Sequence, residues 1–327
     1  MSTERSLTHF IEIFLRARTS EGVRKSTIGQ YKDNFSFFIE YLDRKSMCTN
    51  DISLITREVI RDYINWMLYE KIRFENCGVF MPDYSKTVGI SPVTANLRIK
   101  TLKAFFNFLM AEEYVIKNPC SGLRKVREDQ SEIRVLTAEQ LRILLSAVSK
   151  SSYASYRDYV LINVLIDGFT RISETLLIKT NDIDFNQGVI VIAAGNAKGR
   201  KSRIIPLKKR TMNLLKNLLN KNEKFSSDFV FLTDNGEKMD GNRFRHRLRE
   251  YVEKARLNVR VHPHLFRHTG ATIYLQNGGD IRHLALILGH KDLRIVQRYT
   301  HPSEESIKKQ HNAYSPLNNL FGDDEEV

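Results

Sequence analysis

The sequence predicts a mainly α-helical protein, with a helical N-terminal domain followed by an α+β domain that carries one small antiparallel sheet. Three observations carry that prediction. Apolar residues recur at three- and four-residue steps along most of the 327 residues, which is the period of an amphipathic helix. β-Branched runs of strand character are confined to residues 183–207. A polar stretch without apolar period, residues 121–134 (SGLRKVREDQSEIR), reads as a linker. The expected division is a domain over 1–122, a linker over 123–135, a second domain over 136–316 and an acidic tail over 317–327.

The N-terminal elements follow from spacing. Phe10, Ile11, Phe14 and Leu15 mark a first helix, and Tyr31, Phe35, Phe38, Tyr41 and Leu42 a second. A third follows Thr56 as N-cap, with Val59, Ile60, Tyr63, Ile64, Met67 and Leu68 inward. Residues 71–90 read as a loop. Ser91 and Pro92 suit the N-cap and first position of a long helix, which is expected to run to Asn118-Pro119 with Leu97, Leu102, Phe105, Phe106 and Leu109 as its stripe. Helical spacing explains these aromatic stripes as core without a ligand.

In the second domain, Thr137-Ala138-Glu139-Gln140 has the form of a capping box. An apolar helix follows over Tyr156–Ile166. Val189–Ile192, after a turn at Asn186-Gln187-Gly188, and Arg203–Leu207 are the strands, joined by the loop AGNAKGRKS. Helices return at 209–220 and 242–256. In the latter, Phe244, Leu248 and Val252 face inward and leave Arg243, Arg247 and Arg249 for solvent or phosphate. Further on, Pro263 suits the first position of a helix that sets His264 and Arg267 three residues apart on one face. Asp280 caps the next helix and Gly289 ends it, with His290 directly after. Asp292 starts a last short helix, whose Ile295, Val296 and Tyr299 share a face turned inward.

Composition narrows the function. No run of about 18 apolar residues is present, so a membrane span is not expected. The N-terminus lacks the pattern of a secretory signal. Cys48, Cys77 and Cys120 form no motif and suit a reducing, cytoplasmic setting. Net charge is +13, and residues 195–260 hold 18 Lys or Arg against 7 Asp or Glu. Such a block points to a polyanion, most simply nucleic acid, with a solvated basic surface as the plainer alternative.

Six of the nine histidines fall between His262 and His301. His264 and His268 have the i, i+4 spacing of metal ligands, but no Cys and few carboxylates accompany them. A guanidinium at Arg267 also opposes a cation on that face, so neither a metal nor a cofactor is expected. Tyr299 taken alone reads as a hydrogen-bonded core tyrosine.

The segments His264-Leu265-Phe266-Arg267-His268, Leu288-Gly289-His290 and Tyr299-Thr300-His301 resemble, in order and interval, the C-terminal signature of the tyrosine recombinases. These are the phage-integrase and Xer-like site-specific DNA recombinases. Arg171-Ile172-Ser173-Glu174, the turn Ala197-Lys198-Gly199 and the strand Lys201-Ser202-Arg203-Ile204-Ile205-Pro206-Leu207 match the family's upstream elements. Thr27-Ile28 with Tyr31, and the helix from Ser91, resemble its SAM-like core-binding domain, so the likeness covers nearly the whole chain. One departure stands out. The family usually has Gly two residues before its first arginine, whereas here that position is Phe169 and the glycine, Gly168, lies one place earlier.

The resemblance implies transesterification at a DNA phosphodiester without ATP or metal. Tyr299 would attack phosphorus and form a 3′-phosphotyrosyl link. Arg171 and Arg267 would offer forked donors to the non-bridging oxygens. Lys198, with Lys201 as fallback, would protonate the leaving 5′-oxygen. His264 would assist proton transfer at the nucleophile, His290 would bond the phosphate, and Glu174 would support local structure. His262, His268, His283 and His301 are expected to be structural or close to DNA. The implied partner is double-stranded DNA, held between the two domains, with the helix from Ser91 as candidate for the major groove. Protomers would load as monomers or dimers on each site and form a homo-tetramer on two sites. Residues 303–316, with Ile307 as anchor, would dock either on a neighbour or on their own chain. Without an additional N-terminal domain ahead of the core-binding helices, a simple Xer-like or mobile-element recombinase is expected. The alternatives are a type IB topoisomerase-like activity and a catalytically silent DNA-binding relative.

Overall fold

The structure is a computed structural model that describes residues 6–47, 49, 51–73, 75, 86–128, 135–195, 202–290, 292–297, 299 and 304–318. The chain forms two compact units, Met1–Ser131 and Glu132–Val327. It is mainly helical with a small antiparallel sheet in the second unit, as the sequence predicts. Among the described residues, no helix is long and apolar enough to cross a membrane.

The first unit contains α1 (Leu7–Ser20), α2 (Lys25–Arg44), α3 (Arg57–Asn65), which runs into a wide π turn at Trp66–Glu70, and α4 (Pro92–Ala111). Ser6, Thr56 and Ser91 cap α1, α3 and α4 by accepting from backbone N–H groups three residues on. The apolar stripes meet in one core, where Phe14, Phe35 and Phe105 pack edge to face with centroids 5.1–5.8 Å apart. Most of the expected inward positions are buried, but Leu97 is 38% exposed and Arg98 takes the inner place, its guanidinium 3.6 Å from the Phe37 ring centre.

α4 also ends earlier than the Asn118-Pro119 signal suggests. Glu113 turns left-handed (φ 62°), and the N–H groups of Tyr114 and Val115 both bond the Leu109 carbonyl, which closes the helix. Asn118 instead pins the following loop. Its amide donates to Asn107 and to the Lys103 carbonyl, and its oxygen accepts from the Cys120 N–H. A signal for a chain turn was present at Asn118, but the helix closed about two turns sooner, at Ala111.

The second unit begins with α5 (Ala138–Ala147), where the Thr137–Gln140 capping box forms, and α6 (Tyr153–Asp167). There follow α7 (Ile172–Thr175), β1 (Ile183–Asp184), β2 (Val189–Ile192), β3 (Arg203–Pro206), α8 (Lys209–Asn222) and α9 (Gly241–Lys254). The chain closes with α10 (Pro263–Gln276), α11 (Ile281–Leu288), α12 (Arg294–Gln297) and α13 (Glu304–Tyr314). The sheet is antiparallel in the order β1-β2-β3, with Ile190 opposite Ile205. Its alternation is regular: Ile190, Ile192 and Ile205 are buried while Val191 and Ile204 are exposed. α6 runs through the main core, with Val160, Leu161, Ile162, Val164 and Leu165 at 0% exposure, which explains why its sequence is apolar all round. A smaller cluster gathers Phe169, Ala271, Leu284, Ala285, Leu288, Val296 and Tyr299. That cluster carries the candidate site.

Candidate active site

α10 sets the site's axis. His262 caps it, its Nδ1 accepting from the Leu265 N–H at 3.2 Å, and Pro263 occupies the first turn. Partial burial and then the nearby Arg260 charge push the His262 pKa down. The structural role expected of His262 is thus a cap. Gly270 lets α10 approach α6 closely, since a Cβ there would lie 2.4 Å from the Ile166 carbonyl oxygen.

Arg267 lies on the buried side of α10, 2% exposed, while His264 is exposed. Its guanidinium spans two separate segments. Nη1 donates to the Phe169 carbonyl at 2.7 Å and Nη2 to the Leu288 carbonyl at 2.9 Å, with His290 Nε2 3.1 Å from Nη2. Burial, and next the neighbouring Arg171 charge, pull the Arg267 pKa down to about 10. Two guanidiniums therefore sit close enough to repel, in a pocket of protein where water screens them poorly.

Each segment reaching Arg267 is shaped by its backbone. Phe169 adopts φ 50°, the left-handed region, at the position where the family usually has glycine. The left-handed backbone therefore falls on Phe169, whose ring is buried against Tyr274. On the other side Gly289 (φ 71°) caps α11, and the His290 N–H bonds the Ala285 carbonyl. A Cβ on Gly289 would also lie 3.1 Å from the Arg203 side chain. His290 is thereby set beside Arg267.

Arg171 precedes α7 and donates from Nη1 to Glu174 Oε1 at 2.9 Å. Glu174 Oε2 accepts from Arg203 Nη2 at 2.6 Å, and Arg203 Nε donates to the Ile287 carbonyl at 2.9 Å. Burial pushes the Glu174 carboxyl up, but hydrogen bonds and charge from Arg203 and Arg171 more than offset this and hold it at about 2. Glu174 is thus a buried anchor that orients Arg171 and ties α7 to β3.

Tyr299 is 4% exposed, so its phenol does point inward. Its oxygen lies 3.0 Å from His268 Nδ1. His264 stands edge-on to His268, ring centres 5.5 Å apart. The site thus brings together Arg171, Arg267, His290 and Tyr299, with His264 alongside. Lys198, Lys201 and His301 lie outside the described residues. Among the described residues, no group of three or more His, Cys, Asp or Glu side chains is placed to hold a metal ion.

Three residues acquire roles that the sequence reading missed. Arg203 stood inside a matched segment but its partners were not visible. His268 was separated from Tyr299 by 31 residues of chain. Phe169 was noticed only as a departure. On α9 a further difference appears: Arg243 and Arg249 are exposed as expected, but Arg247 turns inward onto Asp158 and Tyr251.

The fold and this arrangement of arginines, histidines and a buried tyrosine define a class of DNA strand-transfer enzyme, and known proteins agree. Residues 134–306 match the phage integrase family and residues 6–126 the phage integrase SAM-like domain. The tyrosine recombinase XerC of Bacillus subtilis is 29% identical over 256 residues, covering 76% of this chain and 83% of that protein. The tyrosine recombinase XerD of Listeria monocytogenes serovar 1/2a is 26% identical over 317 residues, covering 95% and 99%. The Tn1549 transposon integrase in complex with a circular intermediate DNA shares the fold (TM-score 0.72, 18% identity, 94% and 99% of the two chains). So does a lambda integrase dimer bound to a COC′ core site (TM-score 0.66, 15% identity, 90% and 77%).

The chain belongs to the phage integrase family, as a tyrosine recombinase, an enzyme that cleaves and rejoins DNA strands in site-specific recombination. The topoisomerase-like and catalytically silent alternatives are not favoured.

Proposed function

We propose that Tyr299 attacks a DNA phosphodiester to form a 3′-phosphotyrosyl link and release a 5′-hydroxyl. The observation that carries this reading is the buried Arg267 guanidinium, bonded to the Phe169 and Leu288 carbonyls, two residues that pack in one cluster with Tyr299, and lowered in pKa by the neighbouring Arg171 charge. Two guanidiniums that repel in a poorly screened site are relieved by an anion between them, and the transition state of phosphoryl transfer is such an anion. Arg171 and Arg267 bind the non-bridging oxygens, and His290, held against Arg267, bonds the same phosphate. His264 assists proton transfer at the nucleophile, and Lys198 protonates the leaving 5′-oxygen. The link keeps the energy of the broken bond, so rejoining needs no ATP.

Double-stranded DNA is the partner. Exposed Arg243, Arg245 and Arg249 on α9 suit phosphate contacts. On α4, the exposed Val93, Leu97, Lys100 and Lys103 suit a groove. The working assembly is a homo-tetramer on two sites, loaded as monomers or dimers. Ile307 on α13 is 56% exposed, as a docking anchor requires. A truncation after Pro302 that left cooperative loading unchanged would remove α13 from this scheme.

The decisive experiment uses a duplex carrying the protein's own site, sought as inverted repeats around a short spacer beside the gene, with a nick that traps the cleaved strand. Wild type becomes covalently attached to DNA and Tyr299→Phe does not. Equal attachment in both would show that Tyr299 is not the nucleophile.

A further inference from the structure

We propose that His268 is the immediate acceptor of the Tyr299 phenolic proton. The inference rests on Tyr299 being the nucleophile and adds the group that activates it. A phenol that bonds to phosphorus gives up its O–H proton, and that proton has to go somewhere. It is His268 whose Nδ1 lies 3.0 Å from that oxygen, within reach for direct transfer. Their rings are 5.4 Å apart and tilted by 42°, which brings an edge nitrogen of the imidazole to the phenol oxygen instead of stacking the faces.

The surroundings favour this pairing. Tyr299 is 4% exposed and packed among Val296, Leu284 and Leu288, so bulk water is a poor acceptor for its proton. His268 is partly exposed and lies on the helix that carries Arg267, one residue further on. A base on that helix keeps its position relative to the guanidinium, whereas the nucleophile lies in the turn that follows the separate, four-residue α12. His264, exposed and edge-on to His268 one helical turn back, is placed to carry the proton onward to solvent. That ordering reconciles the two histidines. His264 belongs to the matched motif, and His268 is the ring against the phenol.

The step balances without a further reactant. With the phenol donating, Nδ1 is the bare nitrogen of a neutral ring and Nε2 carries its hydrogen. As the phenol oxygen bonds to phosphorus, its O–H breaks and the proton passes to Nδ1, giving imidazolium. The phosphorus–5′-oxygen bond breaks, and its electron pair leaves with the 5′-oxygen, which takes a proton in turn. On rejoining, His268 returns its proton to the departing tyrosine.

The test separates nucleophile activation from leaving-group protonation. Single-turnover covalent attachment is measured on the nicked duplex with an ordinary 5′-oxygen, and on one whose bridging 5′-oxygen is sulfur. A thiolate leaves without protonation, so the sulfur substrate bypasses any acid but still needs an activated nucleophile. His268→Ala and His268→Asn should both slow attachment by on the order of 10²-fold on both substrates. Asn keeps a polar atom near the Nδ1 position yet takes up no proton, and it serves in place of Ala if that variant is unstable. Binding to an intact duplex at wild-type affinity confirms folding.

Recovery on the sulfur substrate would overturn the inference by placing His268 on the leaving-group side. A wild-type rate in His268→Asn would overturn it too, because a hydrogen bond alone would then suffice. Tyr299→Phe is run in parallel. Attachment persisting there defeats the nucleophile assignment itself, while attachment lost there but normal in both His268 variants defeats this inference alone.

Discussion

Glu174 and Arg203 lie 29 residues apart in the chain and meet at 2.6 Å. Their contact joins the segment that carries Arg171 to β3, the strand that comes after Lys198 in the chain. Glu174→Gln keeps the shape and removes the charge. Arg171 should then sit less firmly, lowering the rate of covalent attachment by about 10-fold or more while duplex affinity changes little, as measured side by side. Glu174→Ala should also reduce stability by about 3–5 kcal/mol in denaturant melts, because it leaves a buried guanidinium without its partner.

The same pair sets a pH dependence. Glu174 is held at about 2, below its ordinary value of 4.5, so the folded state favours the ionised form. The stability it contributes, about 3 kcal/mol, is present above pH 4.5 and lost as pH falls through about 2. The stability gap between wild type and Glu174→Gln should therefore be constant at neutral pH and narrow across that acid window. A gap that widened on acidification would contradict the assigned direction.

Arg267→Lys should be severe. One ammonium cannot reproduce the bonds that Arg267 makes from Nη1 and Nη2 to Phe169, Leu288 and His290. Attachment should slow by about 10²–10³-fold, the range for losing one oriented donor at a developing anion. Weaker DNA affinity with an unchanged attachment rate would instead make Arg267 a binding residue only.

Phe169 offers a test of backbone strain. Both Phe169→Ala and Phe169→Gly lose the buried ring, but only alanine keeps the left-handed penalty at φ 50°. Glycine should be the more stable of the two by about 1 kcal/mol in chemical melts, the reverse of the usual helix order. An alanine variant equal to or better than glycine would mean that the turn had rearranged.

On α9 two arginines should part company. Arg247 bonds the buried Asp158 carboxylate together with Tyr251 and the 1%-exposed Arg157, so Arg247→Ala should lower stability by about 1–3 kcal/mol. Exposed Arg243→Ala should leave stability alone and reduce the slope of log affinity against log salt by about 1. Duplex titrations at several salt concentrations, paired with melts, distinguish the two.

Much of this was legible along the chain. The caps at Thr56, Ser91 and Thr137 form as read, because an N-cap depends on residues within one turn. The strands around Ile190 and Ile205 pair as their β-branched runs suggested. Local signals were less decisive where a backbone closed early, as at Glu113, or where a side chain had two possible directions, as with Arg247 and Leu97. Helical spacing specifies a face, and only the neighbouring element decides which flank of that face is covered.

The sequence by itself determined the two-part helical architecture, the basic block and the identities of Arg171, Arg267, His290 and Tyr299 as members of one motif. Those are properties of residue type and interval. Tertiary structure alone decided who touches whom: His268 against Tyr299, Arg203 against Glu174, and Arg267 reaching Phe169 and Leu288 at once. These partners come from different elements, and their separation in space depends on how α7, α10 and α11 pack. A one-dimensional pattern can name the charged groups, but the burial that brings Arg267 down to about 10, and the Arg203 and Arg171 contacts that hold Glu174 at about 2, exist only once those elements have packed.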